Sequence, residues 1–253
     1  MVKYLVTAIF VISLSFMVQA QSFYFGVKGG PTISNQKWDN SFSRSPLWRY
    51  HIIAFIESAP EDNQFALFAQ LGYHIKGSKI KTYATTIYPP GGAPYNVPAR
   101  STPFIFKNLS LVLGAKQKFD VGGGDNKMYY LIGVRGDWTV DTQLRPDGID
   151  ETYYYYYTYP FDIYVNHFVF GMTAGGGFEF PFSEFVGGLF EFTVNPDFTR
   201  QYDQPAFTNV FNPNPNNPNN SNIPERSIMT TTFELTLGLR FLRKVEYIDV
   251  NLF

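Results

Sequence analysis

Thr232-Phe233-Glu234-Leu235-Thr236-Leu237-Gly238-Leu239-Arg240-Phe241 alternates without a break: apolar side chains at the odd numbers, polar, charged or glycine residues at the even ones. Successive side chains of a strand point to opposite faces, so the segment reads as a strand with one apolar and one polar face. One such strand could line a soluble core. The same pattern recurs in seven further stretches, with charges and glycines opposite the apolar row. Apolar rows facing outward around a polar interior are how a chain crosses a bilayer as a closed barrel, where every backbone group must find a partner inside the protein.

Working back toward the N-terminus, Val186, Phe190, Phe192 and Val194 alternate with Gly187, Leu189, Glu191, Thr193 and Asn195. Phe168, Phe170, Met172, Ala174, Phe178 and Phe180 oppose His167, Gly171, Thr173, Gly175, Gly177 and Glu179. Met128, Tyr130, Ile132, Val134, Trp138 and Val140 oppose Gly133, Arg135, Asp137 and Thr139. Leu109, Leu111, Leu113 and Ala115 oppose Asn108, Ser110, Val112, Gly114 and Lys116 in a strand expected near Ile105 to Phe119. Phe65, Leu67, Ala69, Leu71, Tyr73 and Ile75 form an outward row against Ala66, Phe68, Gln70, Gly72, His74 and Lys76. Trp48, Tyr50, Ile52, Ala54 and Ile56 leave Arg49, His51 and Glu57 inside. The first strand, near Phe23 to Ile33, sets Phe23, Phe25, Val27 and Ile33 against Tyr24, Gly26, Lys28 and Gly30.

These rows predict an all-β fold: an eight-stranded antiparallel up-and-down transmembrane β-barrel with long extracellular loops. Links after the second, fourth and sixth strands are short, and those after the first, third, fifth and seventh are expected to be longer. In outer-membrane barrels short turns are periplasmic and long loops extracellular, which would put both termini in the periplasm. Ser58 to Asn63 and Asp120 to Lys127 would then be periplasmic. Residues 21–253 form one domain, with 242–253 as a short periplasmic tail.

The first twenty residues read as a cleaved secretory signal: Lys3, an apolar stretch from Leu5 to Met17, and the small-x-small site Val18-Gln19-Ala20. The chain has no cysteine, which excludes disulfides, thiolate metal sites and thiol catalysis. Aromatics are 19% of residues, charged residues 16%, and the formal net charge is -1, a balance that offers nucleic acid nothing to bind. No cofactor is expected.

A barrel of eight strands is just wide enough for its own side chains to fill. Lys28, Lys116, Arg135, Asp137, Glu179, Glu191, Glu234 and Arg240 fall on inward rows, and buried charges of both signs should pair. At least one of Glu191 and Glu234 is expected to reach Arg135 or Arg240. The lumen is therefore read as a structural plug rather than an ion path. Arginine is expected to be tolerated better at inward Ser110 or Thr236 than at outward Leu111 or Leu237. The three histidines, His51, His74 and His167, all fall on inward rows, and no spacing groups a nucleophile, base and orienter. The chain is not read as an enzyme, and no residue is assigned to catalysis or metal binding.

Among the presumed loops, Tyr153, Tyr154, Tyr155, Tyr156, Tyr157 and Tyr159 form a candidate contact surface, because each tyrosine pairs an apolar ring with a hydroxyl. Asn212 to Asn220 is an Asn/Pro tract that reads as solvated linker.

Phe23-Tyr24-Phe25-Gly26-Val27-Lys28-Gly29-Gly30, Asn108-Leu109-Ser110-Leu111-Val112-Leu113-Gly114 and Leu237-Gly238-Leu239-Arg240-Phe241 resemble the outer-membrane β-barrel proteins abundant in Bacteroidetes, the porin-family or PorT-like group. The resemblance implies an eight-stranded barrel in the bacterial outer membrane. The PorT member is associated with type IX secretion, so an accessory part in a secretion or surface-assembly machine is the alternative to a structural or interaction role played through the loops. A narrow solute channel and a lipid-modifying enzyme rank below both. The expected partners are outer-membrane lipid and a protein at the cell surface or in a secretion complex.

Overall fold

The computed structural model describes residues 22–39, 43–59, 64–87, 95–122, 125–144, 162–210 and 221–245. The signal segment, the tyrosine run and the Asn/Pro tract lie outside the described residues. Thirteen strands are found among them: β1 (Phe23–Trp38), β2 (Arg44–Ser58), β3 (Phe65–Thr82), β4 (Thr85–Ile87), β5 (Tyr95–Val97), β6 (Arg100–Asp120), β7 (Lys127–Gln143), β8 (Phe168–Pro181), β9 (Val186–Pro196), β10 (Tyr202–Gln204), β11 (Phe207–Val210), β12 (Ser221–Ile223) and β13 (Arg226–Arg243). No described helix is long and apolar enough to cross a membrane.

Eight of these strands hydrogen-bond in the antiparallel order β1-β2-β3-β6-β7-β8-β9-β13, and β13 pairs back onto β1 from Phe23↔Arg243 to Trp38↔Ile228. The ring is closed, so it has no free edge. The end of the barrel that holds Phe23 and Arg243 is called here the near end. It also carries the links after β2, β6 and β8, residues 59–64, 121–126 and 182–185. The far end carries the two small hairpins β4–β5 and β11–β12, and β10, which continues the β9 ladder along the start of β13 through Tyr202↔Ile228.

The alternation places side chains as its period of two requires. Leu67, Leu71, Leu111, Leu113, Ile132, Val134, Leu235 and Leu237 stand exposed in a continuous apolar belt. The opposite rows are buried, and most of their residues are polar or charged. Trp48, Tyr50 and Trp138, exposed, and half-buried Tyr73 cluster toward the far rim of the belt, while Phe25, Phe65, Phe119, Tyr130, Phe178 and Phe180 gather toward the near rim. This is the inverse of a soluble domain, whose large apolar side chains go inward.

Four sequence expectations need correction. The link after β1 is only residues 39–43, because β1 and β2 run well past their expected ends. The extension of β1, through Asn35, Gln36 and Lys37, is polar on both faces, so its period of two carries no hydrophobic signal. Ile75 is 7% exposed rather than lipid-row, packing with Leu47 and Ile105. A bulge between Pro46 and His51 on β2 distorts the pairing beside it. Leu242 and Arg243 belong to β13 rather than to a tail. His167 is exposed ahead of β8, its Nδ1 donating to the Thr139 carbonyl at 3.0 Å.

Candidate functional site, the charged lumen

Six cations (Lys28, Lys76, Lys116, Lys118, Arg135, Arg240) and six carboxylates (Glu57, Asp137, Glu179, Glu191, Asp197, Glu234) are buried together inside the ring. They are stacked along the axis in three groups. Nearest the near end, Glu57 receives Lys116 at 2.6 Å and also pairs with Lys118. Glu179 in turn takes Lys118 at 3.1 Å, Lys116 at 3.8 Å and Arg240. Tyr24 faces this group, with the Arg240 guanidinium 4.5 Å and Lys118 Nζ 5.3 Å from its ring centre.

In the middle, Lys28 Nζ donates to Glu191 at 2.5 Å, and the Tyr129 hydroxyl donates to the other oxygen of that carboxylate at 2.8 Å. Lys116 Nζ lies 4.4 Å from the centre of the same tyrosine ring. His74 Nδ1 is 2.7 Å from Glu234, and the His74 ring stacks on His51 at 5.5 Å. His51 itself sits between Thr32 Oγ1 and Thr236 Oγ1, each 2.9 Å from a ring nitrogen.

Toward the far end, Asp137 and Asp197 are bridged by Lys76 and Arg135, and Ser110 donates to Asp137 at 2.5 Å. Above them Gln201 donates to Asn108 at 3.3 Å and accepts from Thr230 at 3.1 Å. The far mouth is then sealed by an apolar plug of Trp38, Ile80, Phe104, Phe106, Leu144, Val165, Tyr202 and Ile228, which Tyr164 borders. Tyr202, Phe104, Phe106 and Ile228 have no solvent exposure. Tyr202 is buried in the plug where β10 resumes the ladder along β13 beyond β9, and its hydroxyl donates to Gln204 at 2.7 Å.

All eight charges expected inside are there, but their pairing differs from expectation. Neither Glu191 nor Glu234 meets Arg135 or Arg240. Each arginine instead crosses a glycine on the neighbouring strand to reach an acid beyond it. Arg240 is in register with Gly187, where a Cβ would lie 2.9 Å from its Nε, and Glu179 lies on the strand after that. Arg135 is in register with Gly171, where a Cβ would lie 2.8 Å from Nη2, and Gly171 bridges to Asp197. Lys28 crosses Gly238 toward Glu191 in the same way, with only 2.5 Å between Lys28 Cβ and a Cβ placed on Gly238. A side chain on the intervening strand would block the lane. The partner is therefore set by where the glycine lies, not by which acid is on the adjacent strand.

Lys76, Lys118, Glu57 and Asp197 complete the network and were not assigned to it from sequence. Their signal was present: Lys118 continues the row of Lys116, Asp197 that of Glu191, Thr193 and Asn195, and Lys76 and Glu57 were already on inward rows. Arg49 stays out of the lumen, its guanidinium donating to the Trp48 carbonyl at 3.0 Å. The interior contains a cavity of about 10 Å³, bordered by His74, Glu234, Glu191, Arg135 and Thr173. That is room for roughly one water molecule. Ser110 and Thr236 are buried and bonded, so an arginine at either site finds no space, contrary to the milder effect expected from sequence. No group of three or more metal-ligating acid, histidine or cysteine side chains is found among the described residues.

No family model matches the chain, and no curated protein matches it in sequence. Among solved structures it is similar to Neisserial surface protein A, at 13% identity and a TM-score of 0.43, over 87% of this chain and 96% of that one. OprG from Pseudomonas aeruginosa gives 10% identity and a TM-score of 0.45 over 88% and 96%. Ail of Yersinia pestis gives 9% and 0.34 over 87% and 99%. At these scores the likeness carries nothing about role. The class rests on the hydrogen-bonded ring itself: a closed eight-stranded up-and-down barrel, apolar outside and charged within.

Proposed function

We propose that this protein is an integral outer-membrane barrel with a closed lumen, acting as a structural or interaction protein through its far end. The observation that carries the reading is the exposed apolar belt around a ring of paired charges. Large apolar side chains such as Leu67 (60%), Val134 (69%) and Leu237 (67%) would be costly facing water and are at home in hydrocarbon. Membership of the Bacteroidetes porin-family group and periplasmic placement of the near end, with both termini, belong to the same proposal.

The lumen supports a role without transport or catalysis. A path along the axis meets three layers of ion pairs and then the Tyr202 plug. His51 and His74 are occupied by threonines and Glu234, with no space beside them for a substrate. Reconstitution of the full chain into planar bilayers tests the reading. Stable insertion without steady single-channel conductance is expected, and a reproducible open pore would overturn it.

A further inference from the structure

The far rim is electrically lopsided. On the side formed by β1, β3 and β6 lie Lys37, Lys79, Lys81 and Lys107, with one acid, Asp39, just after β1 and accepting from Ser227, while the side formed by β7 to β13 carries Asp141, Asp162, Asp203 and Glu225. Arg200, on the acidic side, is already engaged by Asp203 at 3.0 Å and Glu225 at 3.7 Å. Lys107 is engaged by Asp141 at 2.6 Å. Lys37, Lys79 and Lys81 have no acidic side chain within ion-pair distance among the described residues. Trp38 and Ile80 are buried in the plug, so Lys37, Lys79 and Lys81 on the alternate positions face outward.

Height narrows what could meet these lysines. On β3 the outward row leaves the belt at Tyr73, and Lys79 and Lys81 stand six and eight residues further along the same strand. At about 3.3 Å per residue and the usual barrel tilt, they project about 15–20 Å beyond that tyrosine. A simple phospholipid headgroup layer is only about 5–8 Å deep on each side of the hydrocarbon. The strands themselves carry the lysines there: Lys79 pairs with Pro103 and Lys81 with Ser101 in an unbroken β3–β6 ladder. Two outward cations two residues apart, on a rigid sheet above the belt, match a tall anionic headgroup rooted in the same leaflet.

We infer that the outward face of β3 and β6 at the far rim, centred on Lys79 and Lys81, is a docking site for the phosphorylated sugar headgroup of an outer-leaflet glycolipid. The inference rests on the outer-membrane reading above. The acyl chains of that lipid lie against the belt below, and its sugar phosphates reach the lysines.

The test uses the full chain in nanodiscs with lipooligosaccharide whose inner-core sugars are phosphorylated, with a dephosphorylated preparation as the comparison. Native mass spectrometry counts retained glycolipid. Wild type should retain the phosphorylated form preferentially and lose the preference in high salt. K79Q/K81Q should weaken retention about 30-fold, the size expected of two lysines at an anionic surface. R200Q, on the acidic side, should leave it unchanged. Equal retention of both preparations, or an unaltered K79Q/K81Q, would overturn the inference. So would equal binding of the delipidated oligosaccharide, which would show that the lipid is not what docks. Failure of the wild-type chain to enter discs as a heat-modifiable, protease-resistant band would instead count against the outer-membrane reading.

Discussion

The lumen and the far mouth close the same tube by opposite means. In the lumen, twelve buried charges neutralise one another across lanes cleared by glycines. At the mouth, aromatic and aliphatic side chains pack around Tyr202, with the Arg44 guanidinium over the Trp38 ring and Arg226 buried at the start of β13 as the cations beside them. The lumen is filled mostly from the barrel wall, because every wall strand offers an inward row, with Asp197 and Gln201 added from the segment between β9 and β10. The mouth lies beyond the belt, where the wall has to be supplemented from the loops. An ion-pair plug is brittle, since losing one partner leaves a charge with no water to receive it. An apolar plug degrades gradually, because a removed ring leaves only a cavity.

The strongest way to break the comparison is Glu179→Ala. It strips Arg240, Lys118 and Lys116 of a shared carboxylate and should cost about 3–5 kcal/mol of unfolding free energy, measured by urea titration in detergent. Restoring most of that stability by pairing it with Arg240→Met would confirm that the loss is electrostatic. Phe104→Ala in the mouth should cost about 3 kcal/mol, without a rescue of that kind. A rescue by neutralising any charge would show that the two plugs are one system.

A third substitution tests the outside against the inside. Leu237→Arg should hinder assembly by about 2–4 kcal/mol, since the site faces hydrocarbon near mid-belt. Gly171→Ala tests the lanes. Its methyl group would crowd Arg135 and the Pro196 carbonyl, and overpacking of this size costs about 1–3 kcal/mol. If it is tolerated as well as a substitution at a surface turn, the lane account fails. The smallest effect is expected of Asp141→Asn. Its partner Lys107 is solvent-exposed, and thermal unfolding should not shift measurably.

The rows of alternating residues made the barrel legible from sequence. From Thr232 to Arg240 each side chain has the burial its parity demands, and the same holds from Met128 to Val140. The period also marked all eight charges assigned to the lumen. It failed where a strand is polar on both faces, as in β1 after Ile33, and where β2 bulges beside Ile75. His167 sits just before its strand begins, in a stretch where parity has no meaning.

Parity says which face a residue occupies, and so the sequence by itself determined the ring, the belt and eight of the twelve charges of the interior. It cannot say at what height a side chain lies relative to residues two strands away. That depends on register and stagger, which are fixed only when the ring closes. The partners of Arg135, Arg240 and Lys28 were therefore decided by the tertiary structure, through the glycines that happen to fall beside them. The Tyr202 plug was decided there too, because Tyr202 and Phe104, 98 residues apart in sequence, meet only once β10 has docked on β13.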